Sequence, residues 1–208
     1  MNRPTNLLKA LFLEKRLPWR YSKHFQNIYE KTVKAFNLNI NTKRFWNSKF
    51  KKGCRSIGNE NYKEILKHLP KDKNFSLLDI GCGLGQGCRL IKDNFPKADI
   101  HGCDFSKEAI KKARTNSKNI TFSNLDIIKD NLSKRYDYIV LISVIEHFKH
   151  PKKIIKKCLK SSDNLILDCP YMDLGISHLY GCDEKTFREF NPRIKRYDNR
   201  IIYLIRSN

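Results

Sequence analysis

No stretch of this chain is apolar for long enough to cross a membrane. The longest strongly apolar run is Tyr138–Ile145, and Ser143 interrupts it. No secretory leader is expected either. Lys9 breaks the early apolar group of Leu7, Leu8, Leu11, Phe12 and Leu13, and no small-residue cleavage site follows. No two cysteines form a CxxC pair, which excludes a finger-like zinc site. The seven cysteines (Cys54, Cys82, Cys88, Cys103, Cys158, Cys169 and Cys182) are odd in number, and several fall where strands are expected. They read as reduced, buried thiols of a cytoplasmic protein. No internal repeat is visible. Acidic residues are scarce, 21 against 42 Lys+Arg, so the net charge is +21.

That charge invites a nucleic-acid partner. Lysine far outnumbers arginine, however, and asparagine and isoleucine are abundant too, which resembles a coding bias. A phosphate-reading surface more often uses arginine's bidentate fork. Nucleic acid is therefore possible and not favoured. The first 60 residues carry +11 and the other 148 carry +10, so the basic character concentrates at the start.

At 208 residues the chain suits one α/β domain and is short for two. Residues 5–17 have the apolar spacing of an amphipathic helix, stopped by Pro18, and 22–36 form a second. Residues 37–58 are polar and aromatic, with Phe45, Trp46 and Phe50, and residues 59–69 read as a helix ending before Pro70. From there strands alternate with helices. Strands are expected at Phe75–Ile80, Ala98–Cys103, Ile120–Phe122, Tyr136–Ile142 and Leu165–Asp168, and helices at Gln86–Asn94, Lys107–Asn116 and Pro151–Lys160. This alternation predicts a parallel sheet covered by helices on both faces. The end differs: a helix over Asp183–Phe190, then Arg193–Tyr197 and Arg200–Arg206 joined by Asp198-Asn199 as a hairpin.

Residues 79–85 read Asp-Ile-Gly-Cys-Gly-Leu-Gly between a strand and a helix. Glycines there let the backbone turn sharply and a ligand lie against it. The dinucleotide fingerprint is missing, because Gln86 or Cys88 occupies the place of its third glycine. A GxGxG loop preceded by an acid suits a ligand without a pyrophosphate, such as S-adenosylmethionine, whose ammonium wants an acidic neighbour: Asp79, directly or through water. Asp104 closes the next strand, where a carboxylate accepts ribose hydroxyls, and Phe105 is placed to pack on an adenine. Asp126 and Ile127 follow the third strand and suit the adenine amino edge.

These residues resemble the class I S-adenosylmethionine-dependent methyltransferases, in their small-molecule branch, from about residue 45 onward. Leu77–Gly85 matches the first motif of that family, and Asp104 its ribose-binding acid. Tyr136–Pro151 looks like its fourth-strand motif. The resemblance implies a Rossmann-like seven-stranded sheet, mostly parallel with a C-terminal antiparallel hairpin, and S-adenosylmethionine as cofactor. It implies cofactor contacts at Asp79, Gly81, Cys82, Gly83, Gly85, Asp104, Phe105, Asp126, Ile127 and Ser143. Residues 1–58 become a basic helical extension, with Phe45–Gly58 similar to a lid, and residues 59–208 the methyltransferase domain.

Glu146 and His147 follow the fourth strand, where substrates of the family bind. His147 is the expected base and Glu146 its orienter or a support of the cofactor loop. Loop stabilisation by the same pair is the competing reading. His178 and Tyr180 are expected to line the acceptor pocket. Some relatives bind metal through Glu-x-x-Glu-His, but here Ser143 stands at the first glutamate position, so no metal is assigned, although His150 or His178 would compensate. Asp168-Cys169-Pro170-Tyr171 imitates an amino-methylation motif but follows the fifth strand, which disfavours methylation of exocyclic amines. The expected function is methyl transfer to a small-molecule acceptor, a hydroxyl of a sugar, lipid-linked or other metabolite, and the basic start suits an anionic one. The alternatives are an RNA-modifying methyltransferase that tracks phosphates with residues 1–60, a membrane-surface protein anchored by residues 5–17, and a non-enzymatic binder of the cofactor. Nothing in the residues speaks to oligomeric state.

Overall fold

A computed structural model of the chain describes residues 41–53, 59–71, 74–117, 119–173 and 177–207. The helices expected over 5–17 and 22–36 lie outside the described residues, as does the expected boundary at residue 58. Elements are numbered from the first described helix. Among the described residues, two helices, α1 (Lys43–Lys51) and α2 (Asn59–Leu66), precede the sheet. Then come β1 (Ser76–Ile80), α3 (Gln86–Asn94), β2 (Asp99–Asp104), α4 (Lys107–Asn116) and β3 (Thr121–Asn124). The second half holds β4 (Tyr136–Ile142), α5 (Pro151–Leu159), β5 (Ser162–Pro170), β6 (Arg193–Tyr197) and β7 (Arg200–Arg206).

The seven strands lie in the order β3-β2-β1-β4-β5-β7-β6. Pairings β1–β2, β1–β4, β2–β3 and β4–β5 are parallel, and β7 runs antiparallel to both β5 and β6. The strand order reverses between β1 and β4. A crevice therefore opens at their carboxyl ends, where ligands of open α/β sheets bind.

Period-two alternation splits the core into two layers. On β4, Ile139 and Leu141 join one apolar cluster while Val140 joins the other. On β5, Leu165 and Leu167 face the first and Ile166 the second. Strands covered on both faces must be apolar at nearly every position, which is why β4 and β5 read as continuous runs. Ser106 caps α4 by accepting from Ala109 N, and Pro151 opens α5, where its missing N–H is harmless.

Four expectations need correction. Residues 183–190 are not an α-helix. The Asp183 carboxylate accepts from Lys185 N at 3.0 Å and Thr186 Oγ1 at 2.7 Å, and only a short 3₁₀ turn, Arg188–Phe190, follows. Side-chain bonding to the local backbone outcompetes the helix there. Helix α2 closes at Leu66, short of residue 69. Strand β5 starts at Ser162 and runs to Pro170, because β4 and β7 give it partners along that length. Strand β3 starts at Thr121 and runs to Asn124, paired throughout with β2. Among the described residues, no helix is long and apolar enough to cross a membrane, and six cysteines are free and buried.

Candidate active site

The turn after β1 is built on one carbonyl. Gly81 N and Cys82 N both donate to Cys103 O, at 2.7 and 3.0 Å, which bends the chain over the end of β2. Gly81 holds φ +77, and a Cβ there would come within 2.5 Å of Val144 Cγ2. Gly85 holds φ +74 and stops just before α3, with the Phe122 ring 2.6 Å from where a Cβ would sit. Only glycine serves at either position.

Asp104 fastens this loop to the next. Its Oδ2 accepts from Gly83 N at 3.1 Å and its Oδ1 from Ser106 N at 2.8 Å. Burial pushes its carboxyl up to about 6, with the two backbone donors pulling the other way. Asp104 and Phe105 line a cavity of about 660 Å³, together with Gly81, Cys82 and Gly83. Asp126 and Ile127 line it too, and so does the exposed Ile128. The Asp126 carboxylate accepts from Ile128 N and lies 3.4 Å from Lys43 Nζ of α1.

Asp79 stands one layer behind the cavity wall. It is fully buried, and its Oδ2 accepts from Tyr62 Oη at 2.9 Å and from Cys88 Sγ at 3.3 Å. Burial raises its carboxyl to about 6, against the pull of those two donors. Tyr62 is what the cavity meets. Gly85 likewise supports the wall without lining it.

The far end of the cavity belongs to the segment after β4. Ser143 holds φ +52, and its hydroxyl accepts from Arg200 Nη2 at 2.6 Å. Arg200 also donates to Asp168, which accepts a hydrogen bond from Tyr197 Oη as well. Ser143, His147, Ser177 and His178 line the cavity. The His147 Nδ1 donates to Ser177 O at 2.9 Å, and the two imidazole centres lie 5.1 Å apart. Burial holds both histidines below their ordinary range; the carbonyls of Ser177 and Ser143 oppose this at His147, and Glu146 opposes it at His178. Glu146 is 1% exposed, and burial pushes its carboxyl up to about 7, with His178 opposing.

Two sequence expectations change here. Glu146 does not orient His147: its Oε1 lies 3.9 Å from His178 Nε2 instead. Tyr180 is not among the lining residues, because its hydroxyl turns inward to donate to Ile145 O at 2.6 Å.

Helix α1 closes the cavity from above. Trp46 and Phe50 line it, Asn47 accepts from Ser106 Oγ at 2.6 Å, and Phe50 O accepts from Lys112 Nζ. Asn41 donates to Ser177 O at 2.8 Å and to His147 O at 3.3 Å, while Trp46 Nε1 donates to Asn41 Oδ1. Asn41, Tyr62 and Arg200 are the residues that sequence reasoning missed. The pairing of Tyr62 with Gly87 is long-range, and no local motif marks it.

Strand order, the terminal antiparallel strand and the glycine cradle define the class I methyltransferase fold. The family described as "Methyltransferase domain" matches residues 78–162. Malonyl-[acyl-carrier protein] O-methyltransferase of Bacillus anthracis is 30% identical over 127 residues, covering 60% of this chain and 44% of that protein. Phosphoethanolamine N-methyltransferase of Plasmodium falciparum is 32% identical over 111 residues, covering 50% and 41%. The chain thus spans less than half the length of these curated relatives. Among solved structures, a Haloferax volcanii methyltransferase in complex with the Trm112 activator superposes with a TM-score of 0.62 at 13% identity, covering 78% of this chain and 97% of that one; the likeness is one of fold. The chain thus has the class I methyltransferase fold, and its residues 78–162 are similar to that methyltransferase domain family. The glycine cradle, the Asp104 carboxylate and a cavity within the size range of small-molecule sites fit S-adenosylmethionine.

The Gly87 contact tests the packing behind the cradle. A Cβ at Gly87 would sit 1.9 Å from Tyr62 ring atoms. Gly87→Ala therefore forces the tyrosine off Asp79, and urea unfolding is expected to show a loss of about 1–3 kcal/mol. A stability within 0.5 kcal/mol of the parent, on the order of a neutral surface change, contradicts this packing.

Proposed function

We propose that the chain transfers a methyl group from S-adenosylmethionine to a hydroxyl of a small anionic acceptor, such as a phosphorylated sugar or another phosphorylated metabolite. The observation that carries this reading is the cavity's division into two ends. The glycine loop, Asp104, Phe105, Asp126 and Ile127 form one end, and His147 and His178 lie at the other. Lys157 Nζ donates to Ile127 O at 2.9 Å, and Lys149, His150 and Lys153 add basic side chains to the cavity wall. Clustered cations there favour a phosphate or carboxylate on the acceptor. Two matched relatives are named for malonyl-[acyl-carrier protein] and phosphoethanolamine, acceptors that also carry acid groups.

Bound S-adenosylmethionine supplies an electrophilic methyl on a sulfonium. The chain's task is then alignment and exclusion of water. Asp104 accepts ribose hydroxyls while Gly83 N and Ser106 N hold its carboxylate in place. Asp79 acts through Tyr62 and the loop rather than by touching the ligand. Helix α1, the last described part of the segment before residue 58, serves as a cap: Trp46 and Phe50 cover the cavity, and Asn41 ties it to the histidine segment. The acceptor oxygen is activated at the histidine end, where burial keeps both imidazoles neutral. The charge of +11 on the first 60 residues supports RNA as a second reading of the acceptor.

Incubation with methyl-labelled S-adenosylmethionine and separate pools of phosphorylated metabolites, neutral sugars and RNA decides the acceptor. Label is expected in the phosphorylated pool; label confined to RNA overturns the small-molecule reading. A pH series tests the cofactor end. Ribose hydroxyls donate to an ionised Asp104, whose carboxyl sits at about 6. S-adenosylhomocysteine affinity is therefore expected to hold above that value and to weaken as pH falls through it, approaching about tenfold per pH unit. Calorimetric titrations at neutral and mildly acidic pH read this directly, and an affinity that rises on acidification contradicts it.

A further inference from the structure

Glu146 is, among the described residues, the buried acid whose two carboxylate oxygens both lack a hydrogen-bond partner. An ionised carboxylate in that state is costly unless a cation compensates it. Two imidazoles stand beside it. One ligand atom from each of Glu146, His147 and His178 lies within 4.8 Å of the others. Metal bonds to oxygen and imidazole nitrogen are about 2.0–2.2 Å, so two of them end to end span about 4.2 Å. Three ligands around one ion cannot all lie end to end and sit about 3.4–3.6 Å apart, so a contraction of at most about 1.4 Å from 4.8 Å brings the three onto it.

The outer contacts are those of metal-binding histidines. The Nδ1 of His147 donates to Ser177 O at 2.9 Å, and the Nδ1 of His178 donates to Asp173 O at 3.2 Å. Backbone carbonyls that take up one ring N–H fix the tautomer and turn the other nitrogen's lone pair outward. On His178 that nitrogen, Nε2, is the one facing Glu146. Ser143 is not a ligand, since Arg200 occupies its hydroxyl. His178, brought in from the loop after β5, supplies the third donor that the serine cannot.

We propose that Glu146, His147 and His178 bind one divalent first-row transition cation, whose remaining coordination positions face the cavity and take the acceptor's oxygen. One carboxylate and two imidazoles suit Mn²⁺, Fe²⁺, Co²⁺ or Zn²⁺ better than Mg²⁺ or Ca²⁺, which prefer an all-oxygen shell. This deepens the functional reading above and rests on it, because it assigns acceptor activation to the cation rather than to an imidazole acting alone. The coordinated hydroxyl is acidified and releases its proton to water at the cavity mouth. Its oxygen forms the new bond to the methyl carbon, the carbon–sulfur bond breaks, and the electron pair stays on sulfur as a neutral thioether. One proton is released per methyl transferred.

Untagged protein, stripped with chelator and dialysed, is titrated with Co²⁺ and followed by visible absorption and calorimetry. One Co²⁺ per chain is expected, with ligand-field bands. Glu146→Gln and His178→Ala are each expected to weaken it by about tenfold or more while S-adenosylhomocysteine affinity stays within about twofold, which also reports that each variant is folded. Absence of stoichiometric Co²⁺ binding, or binding unchanged in both variants, overturns the cation site. Co²⁺ bound as expected without any binding of S-adenosylhomocysteine leaves the cation site standing and overturns the methyltransferase reading instead.

Discussion

One buried carboxylate fastens two strand-to-helix turns together. Asp104 accepts from Gly83 N in the glycine loop and from Ser106 N at the head of α4. Each turn has further determinants of its own. The first depends on glycines at positive φ, and the second needs Ser106 both to cap α4 and to hold Asn47 of α1. A charge at about 5% exposure is tolerable because its oxygens are met by backbone donors. The same residue lines the cavity, so the group that organises the cradle also contributes to the cavity wall.

The histidine end is organised differently. Ser143 is held in a left-handed conformation by Arg200, which in turn is neutralised by Asp168. The ion pair joins β7 to β5, and the Arg200–Ser143 hydrogen bond reaches on to the segment after β4. Together they couple the terminal hairpin to the histidine-bearing part of the cavity wall. His147 and His178 line the cavity with the buried Glu146 behind them, and burial has moved all three groups toward their neutral forms. At the cradle Asp104 has both oxygens bonded and Asp79 one, whereas beside the histidines both oxygens of Glu146 lack a hydrogen-bond partner among the described residues.

The cradle was legible from the residues because its determinants are local. Gly81, Gly83 and Gly85 follow β1 directly, Asp104 ends the next strand, and Gln86–Asn94 and Tyr136–Ile142 fall where the spacing puts them. The terminal hairpin was legible for the same reason, through Asp198-Asn199 between two strand-like runs, with Asp198 at φ +45. What escaped was long-range. Nothing near Tyr62 reports that its hydroxyl meets Asp79, and nothing near Arg200 reports Ser143. Tyr180 looked available for a substrate, yet its hydroxyl is spent on Ile145 O. Asp183 read as a helix cap, and its side chain instead closes a turn.

The most direct test concerns Asp104. Melting of the parent and of Asp104→Asn is compared with and without saturating S-adenosylhomocysteine. Asparagine keeps the side chain's shape and one acceptor oxygen while removing the charge. A rise of about 5–10 °C is expected in the parent, with most of it lost in the variant. An equal rise in both proteins contradicts the placement of the cofactor on the Asp104 carboxylate.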